Sequence, residues 1–146
     1  MKTRKNSLLR WVAMIELVLG AYDLMNGLMS AFVLITDLEG VTASFTESGV
    51  EFSVPILVIS VAITCIGGLI MVLAGAMGMI FASIPGKQKL PLYCGYGLFA
   101  FVILSAVIQI AFMGAGLPLS MLLSLVLHGL YMWGAVKNKK ELEAGV

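Results

Sequence analysis

Apolar residues along this chain come in four long blocks separated by short polar breaks, at residues 11–35, 54–84, 92–113 and 119–136. At 1.5 Å per residue a helix of about 25 residues reaches roughly 37 Å, beyond the ~30 Å hydrocarbon core of a bilayer. About 17–25 apolar residues suffice to span, so each block predicts a membrane-spanning helix. Pro55 falls where a first helical turn accepts proline, Pro85 closes the second block, and Pro118 opens the fourth. The connections at residues 85–91 and 114–117 are so short that the helices flanking each must be antiparallel neighbours. The fold class that follows is all-α, an integral membrane four-helix bundle forming one domain over residues 1–146.

The first block is not uniformly apolar. On a helix at about 100° per residue, Glu16, Gly20, Asp23, Asn26, Gly27 and Ser30 gather within roughly 120° of arc. Val18, Met25, Leu28, Met29 and Phe32 take the opposite side. A carboxylate near the bilayer centre costs about 2.5–3.5 kcal/mol on insertion scales, so this stripe must turn away from lipid. Glu16, one and a half turns from Arg10, reads as snorkelling to the interface. Asp23 lies deeper and reads as a neutral acid hydrogen-bonded across to another helix. In the fourth block Ser120, Ser124, His128 and Tyr131 share one side, with His128 near the depth of Asp23. If the first and last helices touch, Asp23 and His128 are the expected ionisable pair. Gln109, towards the far end of the third block, completes the candidate polar stripe of Glu16, Asp23, Asn26, Ser30, Gln109, Ser124 and His128.

The second block carries a different pattern. Gly67, Gly68, Gly75 and Gly78 share a helical face with Ser60, Thr64 and Ala82, and small residues let backbones approach closely in lipid. That face predicts close contact with the first helix or with another subunit. A phosphate-binding glycine loop is excluded, because no strand precedes these glycines and no Lys-Ser/Thr follows them.

Charge adds direction to this picture. With 60% hydrophobic and 12% charged residues, the chain falls far below the roughly 25% charged content of soluble domains. All nine basic residues (Lys2, Arg4, Lys5, Arg10, Lys87, Lys89, Lys137, Lys139 and Lys140) lie in the tails or the 85–91 connection. The segments 36–53 and 114–117 hold Asp37, Glu39, Glu47 and Glu51 with no base. By the positive-inside rule both termini face the cytoplasm, with the lipid bilayer as the protein's surroundings. Trp11, Tyr93, Tyr96, Tyr131 and Trp133 lie towards the same ends, as an interfacial aromatic belt would. So one-sided a charge bias argues against dual topology. The basic N-terminus precedes an apolar run too long for a cleaved signal and interrupted by acids, so an uncleaved first span is expected. The extracytoplasmic segment 36–53 alternates small or apolar with polar residues. It fits a short β-hairpin, with strands at 41–46 and 50–54, or a solvated loop with Phe45 and Phe52 at the interface.

Candidate chemistry narrows the function classes. No Ser-His-Asp order, His-Glu-x-x-His or paired acidic phosphate site is present, so no catalytic residue is assigned and an enzyme is not expected. One histidine, two carboxylates on another helix, and Cys65 and Cys94 at different depths make no metal set and no disulfide. Neither a cofactor nor a nucleic-acid partner is expected. Gly68, Ala74-Gly75 and Gly78, with the ending Leu130-Tyr131, Gly134-Ala135 and Lys137-Asn138-Lys139-Lys140, carry a family likeness. On these residues the chain resembles the small bacterial four-span proteins grouped as domains of unknown function. That resemblance implies a bacterial inner membrane and no particular activity. The first expectation for function is a non-enzymatic membrane subunit of accessory, regulatory, immunity or self-associating type, partnered by its own copies or another membrane protein. The second is a small transporter or channel component whose Asp/Glu/His stripe couples to a proton or cation.

Overall fold

Thirty consecutive residues, Ser7–Thr36, wind into α1 of the computed structural model, which describes residues 7–47, 53–84, 86–113 and 119–144. Four further helices follow among the described residues: α2 (Leu38–Glu47), α3 (Val54–Phe81), α4 (Lys89–Met113) and α5 (Leu119–Glu143). No strand occurs among the described residues. Ser7–Thr36, Val54–Phe81 and Lys89–Ala111 are each long and apolar enough to cross a membrane. The long helices meet in chain order, α1 on α3, α3 on α4 and α4 on α5, and α5 returns to α1.

Residues 41–46, expected as a first hairpin strand or a loop, are helical instead, within α2. The physical reason lies in the polar side chains. Asp37 accepts the Gly40 N–H at Oδ1 (3.1 Å), capping the helix start. Thr42, Ser44 and Thr46 donate their hydroxyls to the carbonyls of Leu38, Gly40 and Thr42 at 2.8–3.0 Å, bonds that an extended strand would not allow. Val41 and Phe45 are four apart, so they share a face on a helix and line a groove against α1 and α3. Of the second expected strand, 50–54, residues 50–52 lie outside the described residues and Val54 opens α3.

The α1–α3 contact is the most extensive in the structure, and glycine makes it so. Gly20 and Gly27 on α1, like Gly68 and Gly75 on α3, recur at a spacing of seven residues; in antiparallel register Gly20 meets Gly68, Gly27 meets Cys65 and Gly75 meets Ala13 and Leu17. A Cβ on Gly75 would stand 2.6 Å from both the Ala13 carbonyl oxygen and the Leu17 nitrogen. A Cβ on Gly68 would stand 2.5 Å from the Leu24 nitrogen. Here backbone lies on backbone, the close approach that small residues permit in lipid. Gly67, one residue away, serves a different neighbour: it accommodates the ring of Phe101 on α4. The face expected from sequence is thus divided, Gly68 and Gly75 packing on α1 while Gly67 packs on α4.

A tight core fills the end of the molecule that carries Arg10, Lys89 and Lys137. Leu9, Ala13, Ala74, Leu92, Leu98, Tyr131 and Ala135 form one buried cluster there. Val18, Met25, Leu28, Met29 and Phe32 stand outward on α1, all well exposed, as the helical pattern predicts. Trp11, Tyr93, Tyr96 and Trp133 are exposed as well. Tyr131 corrects the expected aromatic belt. Its side chain is fully buried, and its hydroxyl donates to the Ala74 carbonyl at 2.6 Å. The α3–α4 turn uses Gly86 at φ +82°, a backbone state that a side chain would strain. Beyond the expected fourth block, α5 continues to Glu143 with the pairs Lys137–Glu141 and Lys139–Glu143 four residues apart.

Candidate functional site

The polar stripe of α1 does not stay together in three dimensions. Its members point into three different environments.

Glu16 goes to the interior. It is 0% exposed, and its Oε1 stands 2.7 Å from Nδ1 of His128, itself 4% exposed. Both groups are held by packing rather than by solvent. The α1–α5 approach that joins them is set by Gly134, where a Cβ would come within 3.2 Å of the Leu9 Cα. Glu16 was expected to snorkel towards the basic end, and the structure overturns that. The turns of α1 between Glu16 and that end are covered by Leu9, Val12 and Ala13, all buried, so the carboxylate has an imidazole within reach and no open route to solvent along α1. Its second oxygen, Oε2, has no hydrogen-bond partner among the described residues.

Asp23 does not pair with His128, which corrects the expected ionisable couple. Two turns above Glu16 on α1, it is half-buried and makes no hydrogen bond or ion pair to another described residue. It does share a space with His128. A cavity of about 350 Å³ between α1, α3, α4 and α5 is lined by Asp23, Thr64, Ser105, Gln109, Ser124 and His128, with apolar side chains between them. Four of the seven expected stripe residues therefore meet at one cavity: Asp23, Gln109, Ser124 and His128. Thr64 and Ser105 join them, which sequence reasoning did not assign to the stripe. Their signal was the helical spacing, since Ser105 and Gln109 lie four apart on α4 and Thr64 lies four before Gly68 on α3.

Asn26 and Ser30 face elsewhere. Both are exposed and line a groove of about 520 Å³ with Val41 and Phe45 of α2 and Leu57 and Val61 of α3. Neither reaches the cavity that holds Asp23.

His128 lines the cavity, and Glu16, its partner, is buried one turn along α1 from Ala13 of the Leu9–Ala13–Tyr131 core. Among the described residues, no group of three or more His, Cys, Asp and Glu side chains converges to hold a metal ion. Cys65 packs against Gly27, and Cys94 is likewise a free thiol. What the arrangement can do chemically is accept, hold and release a proton or a small polar species beside a buried acid–base pair. No family model, curated protein or solved structure matches this chain.

Proposed function

We propose that this chain is a four-span protein of a bacterial cytoplasmic membrane, both termini inside, working as a small transporter or channel component. The fourth span is the apolar part of α5, residues 119–136, which ends at Lys137, Lys139 and Lys140. The one-sided basic residues and the exposed Trp11, Tyr93, Tyr96 and Trp133 near their ends support the orientation. In this orientation the polar cavity belongs to the extracytoplasmic half and the apolar core closes the cytoplasmic half.

One observation carries the functional reading: the buried Glu16–His128 pair, whose histidine lines a cavity shared with Asp23, Thr64, Ser105, Gln109 and Ser124. Burying an ion pair in a bundle that could have been apolar is no route to stability, since well-packed hydrophobic residues do as well or better. Ionisable groups inside a membrane domain mark proton or ion pathways by default. The pair therefore supports transport more directly than it supports a purely structural subunit. In its simplest form the carboxylate and imidazole exchange a proton with the cavity as the apolar half loosens.

The test is proton flux in liposomes containing purified protein and a pH-sensitive dye. Wild type should dissipate an imposed pH gradient faster than protein-free liposomes, and Glu16→Gln should not. Equal rates for wild type and empty liposomes would remove the reading.

A second reading, an accessory or self-associating subunit, is favoured by Asn26 and Ser30. An amide exposed on the outer surface of a membrane helix gains by hydrogen bonding to another helix. Asn26→Leu should then shift the oligomer distribution in mild detergent; an unchanged distribution would count against it.

A further inference from the structure

We propose that the cavity beside the Glu16–His128 pair binds a small primary ammonium cation, held by the Asp23 carboxylate and a wall of hydrogen-bond acceptors. The proposal rests on the reading above that this cavity is the working site, and it names the ligand class.

Charge is the first argument. No Lys or Arg lines the cavity, while Asp23 reaches it without a basic partner. The single histidine of the cavity lies 2.7 Å from a carboxyl group, Glu16, so it stands there as one half of an acid–base pair rather than as a lone base. A cation is attracted there and an anion is repelled.

The direction of the hydrogen bonds is the second argument, and it is more selective. Ser105 Oγ spends its hydrogen on the Phe101 carbonyl at 2.8 Å, and Thr64 Oγ1 spends its hydrogen on the Ser60 carbonyl at 3.0 Å. Each hydroxyl has one hydrogen, so what these two groups offer to the cavity is lone pairs. Asp23 as a carboxylate offers only lone pairs, and Gln109 can turn its carbonyl inward. Glu16 engages Nδ1 of His128, which lines the cavity, and Nε2 is an acceptor in the tautomer that carries its hydrogen on Nδ1. The fully buried Oε2 of Glu16 behind it lacks a donor too. A wall so rich in acceptors asks for a ligand that brings several N–H donors and a positive charge.

Size and the apolar lining complete the fit. About 350 Å³ is at the small end of the roughly 300–1,000 Å³ usual for small-molecule pockets. Phe101, Met71 and Met121 line the same space, giving a short alkyl chain apolar contact and an ammonium an aromatic ring. A quaternary ammonium has the charge but no N–H to satisfy the wall.

Isothermal titration of the full-length protein in dodecyl maltoside tests this, with propylammonium chloride as the probe. Tetramethylammonium chloride, potassium chloride and sodium propionate are titrated in parallel. Propylammonium should bind at least about tenfold more tightly than any of the three, and Asp23→Asn should weaken it by about tenfold or more, the scale of a lost charge-assisted hydrogen bond. Gln109→Leu, a second variant on another helix, should weaken it as well, which keeps the test open if Asp23→Asn does not fold. Absence of propylammonium binding, an affinity matched by tetramethylammonium, potassium or propionate, or unchanged affinity in both variants would overturn the proposal. Proton flux is scored separately on the same preparation. Binding without flux supports the cation site and removes the transport reading, whereas flux without binding overturns the cation site alone.

Discussion

Replacing Gly75 by alanine adds a single methyl group, and the structure says where it must go. The new Cβ would lie 2.6 Å from the Ala13 carbonyl oxygen, 2.6 Å from the Leu17 nitrogen and 2.8 Å from the Leu17 Cα. Ordinary contact begins at 3.4 Å, so the shortfall is 3.4 − 2.6 = 0.8 Å. The obstructing atoms are backbone and cannot rotate aside. α1 and α3 must therefore separate by most of that distance, and a gap of about 0.5–1 Å forfeits a quarter to a half of each dispersion contact along the crossing. Overpacking of this kind costs about 1–3 kcal/mol. Against it stands the better helix propensity of alanine, about 1 kcal/mol in water. The molecule supplies its own control for that second effect. Gly97 on α4 has nothing within 4 Å of an added Cβ, so Gly97→Ala carries the propensity change without the clash. Thermal unfolding of both variants in the same detergent should show Gly75→Ala clearly destabilised, and Gly97→Ala equal to wild type or slightly more stable. If the two variants melt alike, the backbone-on-backbone packing of α1 and α3 is wrong.

Three further outcomes follow from other contacts. Glu16→Leu or His128→Leu alone should each destabilise by about 3–5 kcal/mol, because each strands a buried polar partner, while the double variant should recover much of the loss; additive losses in a denaturant titration of the full cycle would refute direct pairing. Tyr131→Phe should cost about 0.5–1.5 kcal/mol by removing the hydroxyl's bond to the Ala74 carbonyl, and no loss on thermal unfolding would show that bond to be immaterial. On a cysteine-free background, single cysteines at the exposed positions Glu39 and Lys87 should label from opposite sides of intact cells, Glu39→Cys from outside only; external labelling of Lys87→Cys would reverse the orientation.

How far residues alone could locate the site is shown by Glu16 and Asp23. Measured from the basic ends, Glu16 is 16 − 10 = 6 residues past Arg10, Asp23 is 23 − 10 = 13 past it, and His128 is 137 − 128 = 9 before Lys137. The mismatches with His128 are three and four residues, or about 4.5 and 6 Å at the helical rise. Such a margin is smaller than the freedom of two helices to slide past one another. The adjacency of the first and last long helices was legible, because short connections and a closed ring allow little else. Which carboxylate would meet the imidazole was not, since that depends on how Leu9 and Gly134 seat α1 against α5.

What the sequence determined by itself is where the long apolar runs lie and which helical faces they carry. The apolar blocks, the outward row from Val18 to Phe32, the antiparallel connections and the small-residue face on α3 all follow from periodicity, for which 3.6 residues per turn is sufficient. Tertiary structure decided every question of partnership. Gly67 and Gly68 are adjacent in the chain, yet about 100° of helical rotation sends one to α4 and the other to α1. Tyr131 reads as an interfacial ring until the Ala74 carbonyl takes its hydroxyl into the core. Residues 41–46 alternate like a strand, but with Asp37 capping the helix and the hydroxyls of Thr42 and Ser44 bonded along it, they coil instead. The stripe of α1 divides among the pair, the cavity and the groove because a helix flanked by different neighbours presents its polar arc to each of them in turn. Solvent preference is a property of one residue, whereas a hydrogen bond or a packed contact is a property of two. The second residue is chosen only when the helices come together.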